Sequence, residues 1–369
     1  MIGLNNSSLK STNSALLVKL LLTGAATNRL QLAEKSGLTK MTISNIVGGL
    51  IENEIFAERK TESGTKRGRP GVDLVLSPKA PKVIGVIVDE LSVSVYLLSL
   101  QGETIQETGK ISFAPDAIDI WDKVRQGMDL ILRRSINERI LCVSLVSLNK
   151  AVDTNDKIIS ELSHQYGLPI CFGEYLNAVI LSEEFFGEQR GISNFIYVRL
   201  DKEIESAVML NGAPLKTSNG GGINLAHVSI DYNGLSCSCG ARGCLQSYIS
   251  TETMEKKLRD ITKLKVDFRG FCEMQTKKND SRVDWAFKDM MDKLGFALKS
   301  VSNILGPMNI VIGGLGTLIP DRYLTKLSKS LSSETVQIEV TKSTVQDKRS
   351  ELLCASEILY RIANGNIVL

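Results

Sequence analysis

The sequence predicts a two-part α/β chain: a small basic helical module closed by a strand pair, then a larger body in which strands and helices alternate. Three observations carry this reading. Residues 1–80 hold eleven Lys or Arg against six Asp or Glu, whereas the other 289 residues hold 33 against 35. Near residue 55 the apolar spacing changes from helical to strand-like. Beyond residue 80, a strand hairpin followed by crossover helices occurs twice, the pattern of a duplicated α/β body with a cleft between its halves.

Composition sets the outer bounds. With 369 residues, 43% hydrophobic and 23% charged, and mean hydropathy +0.02, this is an ordinary globular chain long enough for several domains. The longest apolar runs, such as residues 83–88 and 310–312, are strand-sized and far short of the roughly 20 residues a membrane helix needs. No basic segment followed by an apolar run opens the chain, so no secretory signal is expected. The expected compartment is the cytoplasm and no membrane partner is expected.

The basic module is read helix by helix. Leu16, Leu17, Leu20 and Leu21 share one helical face, with Thr12, Asn13 and Ser14 as cap candidates before them. A second helix begins at Asn28, which with Gln31 forms a capping box, and stops at Gly37. A third helix starts at Thr39 and buries Ile43, Ile46, Val47, Leu50 and Ile51. Its N-terminal part turns Thr39, Lys40, Met41, Thr42, Ser44 and Asn45 outward, the surface of a recognition helix for a major groove. Gly48 and Gly49 inside this helix are expected to mark a close helix contact. Strands at 55–58 and 72–76 flank a basic tip with Lys66 and Arg67-Gly68-Arg69-Pro70. That tetrapeptide resembles the core of AT-hook segments, in which arginines read a narrow minor groove. Helix lengths, polarity and wing together predict a winged helix-turn-helix over residues 1–78, with double-stranded DNA as partner.

In the body, strands are expected at 82–88, 93–98, 140–148, 195–200, 206–210 and 309–312, and helices at 118–134, 178–186, 283–305 and 352–362. Asn211-Gly212 signals a hairpin. The most specific chemical signal is His227-x9-Cys237-x-Cys239-x4-Cys244. One imidazole and three thiolates form a closed tetrahedral set, which predicts structural Zn2+ rather than a catalytic ion with an open position. Cys142, Cys171, Cys272 and Cys354 lie in apolar surroundings and read as core residues; His164 reads as a surface side chain.

With these motifs in place, nearly the whole chain resembles the ROK family of repressors and sugar kinases, and within it the N-acetylglucosamine- and xylose-type repressors. The resemblance runs through Leu38-Thr39-Lys40-Met41-Thr42-Ile43-Ser44, Gly68-Arg69-Pro70, Asn177-Ala178, Phe186-Gly187, residues 194–198, Asn211-Gly212, the zinc motif and residues 309–314. It implies an actin/hexokinase-like (ribonuclease H-like) body of two α/β lobes around a sugar and ATP cleft. The expected boundaries are 79–193 for the first lobe, with a C-terminal helix at about 350–369 returning to it, and 194–349 for the second.

The departures from the family pattern bear on chemistry. Where family kinases place the general-base Asp of Asn-Asp-Ala-Asn, this chain has Tyr175 within Glu174-Tyr175-Leu176-Asn177, and a tyrosine with an ordinary pKa of about 10 is a poor base. The two expected phosphate turns are Asp89-Glu90-Leu91-Ser92 and Asp201-Lys202-Glu203-Ile204-Glu205-Ser206, neither containing glycine. No ATP and no catalytic residue are therefore expected. The two sugar-holding Glu positions of the family are Asn224 and Gln246 here. A degenerate pocket of Asn177, Asn224, His227 and Gln246 leaves a sugar effector, another small molecule, or no effector all open. Glu54 stands where the family has Gly, and Asn53 is expected to take the left-handed turn instead. The expected protein is a regulator, a repressor in the resemblance, acting on an operator as a homodimer or higher homo-oligomer, because one short recognition helix buries little surface.

Overall fold

The computed structural model describes residues 6–60, 72–114, 120–148, 156–217, 222–278, 280–345, 350–367 and 369. The chain forms two compact units, Met1–Phe185 with Arg349–Leu369, and Phe186–Lys348.

The first unit opens with α1 (Asn6–Leu22), α2 (Arg29–Ser36) and α3 (Lys40–Glu52), followed by β1 (Phe56–Lys60) and β2 (Val72–Leu76) in an antiparallel pair. α1 starts earlier than expected. Thr12, Asn13 and Ser14 lie inside it rather than capping it, because the polar stretch before the leucines continues the helix. Asn28 caps α2 by accepting from the Gln31 N–H. Gln31 Oε1 reaches back to the Thr27 N–H at 2.8 Å, one residue before the expected partner. Gly37, at φ 69°, ends the helix with its N–H on the Ala33 carbonyl. Thr39 is the cap of α3 rather than its first residue. α3 buries Ile43, Ile46, Val47 and Leu50, while Ile51 is half-buried.

Two expectations about this module are overturned. A Cβ built on Gly48 or Gly49 meets nothing within 4 Å among the described residues, so no close helix contact there explains either glycine. Asn53 keeps φ −80°, and Glu54 itself takes φ 58°; the turn stays where the family has its glycine.

The first sheet follows. β3 (Lys82–Val88), β4 (Ser92–Leu98) and β5 (Thr104–Ser112) form an antiparallel meander. α4 (Ile120–Arg134) leads to β6 (Ile140–Ser147), parallel to β3, and α5 (Asp156–Tyr166) to β7 (Ile170–Glu174), parallel to β6. The order is β5-β4-β3-β6-β7. β3 is buried along its whole length, which is why it reads as an unbroken apolar run. α6 (Tyr175–Phe185) begins immediately after β7. The C-terminal helix Glu351–Ala363 packs on this unit: Ser356 Oγ donates to the Ala178 carbonyl at 3.2 Å and Arg361 to the Phe172 carbonyl at 3.0 Å.

The second unit repeats the plan. β8 (Phe195–Leu200), β9 (Ile204–Leu210) and the two-residue β10 (Ala213–Pro214) are antiparallel, and β11 (Asn309–Gly314) and β12 (Val340–Lys342) continue in parallel, giving β10-β9-β8-β11-β12. Asn211 (φ 53°) and Gly212 (φ 75°) turn β9 into β10, the conformation an Asn-Gly hairpin adopts. Between sheet strands lie α7 (Gln246–Ile249), α8 (Thr251–Thr262), α9 (Phe268–Lys277) and α10 (Ser281–Leu305); α11 (Asp321–Leu331) precedes β12. Ile196, Val198, Ile310 and Ile312 of the sheet pack in one core with Phe271 of α9, and with Phe287, Leu294 and Leu298 of α10. Each such side chain contributes about 2 kcal/mol of hydrophobic stabilisation. No helix among the described residues is long and apolar enough to cross a membrane.

Candidate nucleic-acid interface and metal centre

The outward surface of α3 follows from its caps. Thr39 Oγ1 accepts from the Thr42 N–H at 3.2 Å and lies 2.9 Å from the Thr42 hydroxyl, so these two threonines hold the helix start. Lys40, Ser44 and Asn45 are exposed and Met41 is 76% exposed. The six residues expected on this surface therefore divide into a capping pair and four outward side chains. Lys66, Arg67 and Arg69 of the wing tip lie outside the described residues.

Two contacts that no local pattern signals hold the module together. Arg29 of α2 pairs with Glu58 of β1 at 2.5 Å. The Leu74 N–H of β2 donates to the Thr27 carbonyl at 2.7 Å. The first joins β1 to α2, and the second joins β2 to the turn that precedes α2.

The metal motif folds as a tight knuckle. His227 closes the 3-10 turn Leu225–His227, and Cys244 sits in a bridge opposite Ser229. The Cys237 N–H donates to the Ala241 carbonyl at 2.9 Å, and the Gly240 N–H to the Cys237 carbonyl at 3.0 Å. Gly243, at φ 72°, passes so close that an added Cβ would sit 1.7 Å from the Asp231 carbonyl oxygen. The ligand atoms of His227, Cys237, Cys239 and Cys244 all lie within 4.8 Å of one another. Cys237 Sγ is 3.5 Å from His227 Nδ1, and Cys239 Sγ is 3.6 Å from Cys244 Sγ. A tetrahedral zinc with ordinary Zn–S and Zn–N bonds has edges of about 3.6 Å (S to N) and about 3.8 Å (S to S). The donor set fits the ion. The Cys239 backbone N–H holds the Cys237 thiol down to about 6, while desolvation pushes Cys244 up to about 12. A bound cation would bring all three to thiolates.

The residues of the expected degenerate pocket divide between the units: Asn177 in the first, Asn224, His227 and Gln246 in the second. Asn177 Nδ2 donates to Glu174 at 3.0 Å. Asn224 is exposed and makes no side-chain cap bond. Gln246 is engaged at both ends of its amide: its Nε2 donates to the Lys202 carbonyl at 2.6 Å and its Oε1 accepts from the Ile204 N–H at 2.8 Å. Sequence reasoning missed this role, since the partners are more than 40 positions away. The β8–β9 turn is further closed by Arg199, which pairs with Asp201 at 3.2 Å and Glu205 at 3.0 Å. In the β3–β4 turn, Asp89 Oδ1 accepts from the Glu90 N–H at 2.8 Å. Both turns spend backbone N–H groups on the chain's own side chains and place carboxylates beside them. Tyr175 is the first residue of α6.

Comparison with known proteins gives one consistent result. The ROK family profile matches residues 141–353. The xylose repressor of Bacillus spizizenii is 27% identical over 321 residues, 82% of each chain. The DNA-binding transcriptional repressor Mlc of Escherichia coli is 21% identical over 395 residues, 98% of this chain and 96% of that one. Among solved structures, a ROK family transcriptional regulator described as a homologue of E. coli Mlc superposes with TM-score 0.77 at 19% identity, covering 97% of both chains. The ROK hexokinase of Thermus thermophilus superposes at 0.63 and 18% identity, over 98% of its own length but 75% of this chain. These superpositions show a shared fold, and a quarter of this chain has no counterpart in the hexokinase. By the family match over more than half its length, the chain belongs to the ROK family.

Proposed function

We propose that this protein is a DNA-binding transcriptional repressor of carbohydrate-related genes, with residues 1–78 as its operator-binding winged helix-turn-helix. The observation that carries the reading is the division of α3. Ile43, Ile46, Val47 and Leu50 are buried, while Lys40, Met41, Ser44 and Asn45 stand exposed at its start. Wing residues Lys66, Arg67 and Arg69 add phosphate and minor-groove contacts. The relatives named xylose repressor and Mlc support the same reading. The protein acts as a homodimer or higher homo-oligomer, since paired half-sites supply the affinity that one module lacks.

The knuckle holds one structural zinc through His227, Cys237, Cys239 and Cys244. When bound, the ion supplies a cross-link between the 3-10 turn at Leu225–His227 and the start of α7. Cys244 lies two residues before Gln246, so the knuckle fixes the residue that clamps the β8–β9 turn. The body is not a kinase. Tyr175 replaces the base, and the two turns that would cradle phosphate are occupied by Asp89, Asp201 and Glu205.

The test compares the wild-type protein with Lys40→Ala and Asn45→Ala on a duplex from upstream of its own gene. Zinc content and circular dichroism are recorded on each sample. The reading requires folded, zinc-loaded variants that bind this duplex at least roughly tenfold more weakly. Unchanged affinity in both variants would sink it.

A further inference from the structure

Gly48 occupies a position where glycine answers no packing demand among the described residues. It lies in the middle of α3, its φ is not positive, and a Cβ built on it meets nothing within 4 Å. Glycine is the weakest helix former after proline, so its presence there weakens the helix with no compensating contact among the described residues. Its placement is specific. At 3.6 residues per turn, Gly48 lies opposite the buried stripe of Ile43, Ile46, Val47 and Leu50. It shares that outward face with Met41, Ser44 and Asn45, seven, four and three residues earlier, all exposed. The exposed face thus carries side chains over its first turns and is bare one turn further on.

We infer that Gly48 is a positioning residue for operator binding: its missing side chain lets α3 lie deeper against the duplex, so that Met41, Ser44 and Asn45 reach base edges. The inference rests on the operator reading above and is continuous with the same face of α3. A B-form major groove is about 12 Å wide and admits a helix with little clearance, so a side chain one turn beyond Ser44 and Asn45 on the same face limits the depth of entry. The loss of helix stability is then exchanged for contact with the duplex, since no described residue approaches the space a Cβ would fill.

The experiment uses the full-length, zinc-loaded protein with Gly48→Ala, Gly48→Gln and Gly49→Ala. Gly49→Ala is the control: it gains the same helix propensity, yet its position is turned about 100° from Gly48 around the helix. Thermal midpoints are measured alongside anisotropy titrations of a fluorescein-labelled duplex from upstream of the protein's own gene and of a scrambled duplex. The expected result is a thermal midpoint equal to or above wild type for both Ala variants. Affinity for the upstream duplex should fall about tenfold in Gly48→Ala and further in Gly48→Gln, and stay within about twofold of wild type in Gly49→Ala. Both substitutions are neutral, so the loss cannot come from charge. Gly48 variants that bind as wild type, or an equal loss at Gly49, would overturn the inference while leaving the operator reading intact. A wild-type protein that fails to distinguish the two duplexes would overturn both.

Discussion

Lys19 Nζ lies 2.6 Å from Glu184 Oε1, which joins α1 to the last turn of α6. Glu184 is 2% exposed at its side chain and Lys19 28%, and the Lys19 ammonium also stands 5.7 Å from the centre of the Phe185 ring. Burial raises the Glu184 carboxyl above its ordinary 4.5, with Lys19 opposing the shift. The ion pair therefore ties the first N-terminal helix to α6 across 165 positions, at some electrostatic cost.

A raised folded-state pKa means that the folded protein binds more protons than the unfolded chain just above pH 4.5. This group's contribution therefore becomes more favourable as pH falls and is lost as pH rises through the folded value. Lys19→Met should destabilise by about 2–3 kcal/mol at pH 7, because it strands a buried carboxylate. That deficit should shrink as pH is lowered and Glu184 takes up a proton. Glu184→Gln should be far milder at pH 7. Urea melts of both variants across this range check the sign.

The knuckle gives a metal prediction. Purified protein should carry one zinc per chain. Cys239 is the exposed ligand, so Cys239→Ser removes a donor with little loss of packing and should abolish stoichiometric zinc. Gly243→Ala should cost at least about 3 kcal/mol, since its Cβ collides with the Asp231 carbonyl. Gly240→Ala, also at positive φ but in open space, should cost about 1–2 kcal/mol. Metal analysis and thermal melts separate the two. Similar behaviour of both glycine variants would contradict the geometry.

Glu54 offers a stabilising change. It holds φ 58°, a conformation that is strained for any residue with a Cβ, and its ion pair with Lys79 is exposed on both sides. Glu54→Gly should raise stability by about 0.5–1 kcal/mol in denaturant melts. A loss of similar size would mean that the Lys79 pair outweighs the backbone strain.

What the sequence made legible is local. The Asn28–Gln31 pair, the Gly37 stop, the Asn211-Gly212 hairpin and the cluster of His227, Cys237, Cys239 and Cys244 all arise from successive spacings of ten residues or fewer, and the structure brings each set together, whereas the capping role of Thr39 and Thr42 was not read from the sequence. What stayed hidden depends on distant partners. Lys19 and Glu184 are 165 positions apart, and Gln246 meets Ile204 across 42. Gly48 and Gly49 misled for the opposite reason: a glycine pair in a helix usually marks close packing, and here no described residue packs against them. The Asn53 expectation failed because αL preference ranks residue types, whereas the geometry between α3 and β1 fixed which position must bend.

The closed turns predict catalytic silence. With ATP and a panel of free hexoses, pentoses and amino sugars, the protein should release no ADP above background. Tyr175→Asp should not restore activity, since the Arg199–Asp201–Glu205 and Gln246 contacts still seal the β8–β9 turn. Turnover in the single variant would show that the base alone had been lost.

The most direct test of the central claim is operator binding by the wild-type protein. Fluorescence anisotropy would follow zinc-quantified protein on the duplex upstream of its own gene, against a scrambled competitor and over a salt series. The account predicts tight binding that survives the competitor and weakens steeply with salt, as contacts from a basic module to phosphates require. Sugars added to the formed complex would then identify any effector by release. Folded, zinc-loaded protein that bound the two duplexes equally, or bound neither, would contradict it.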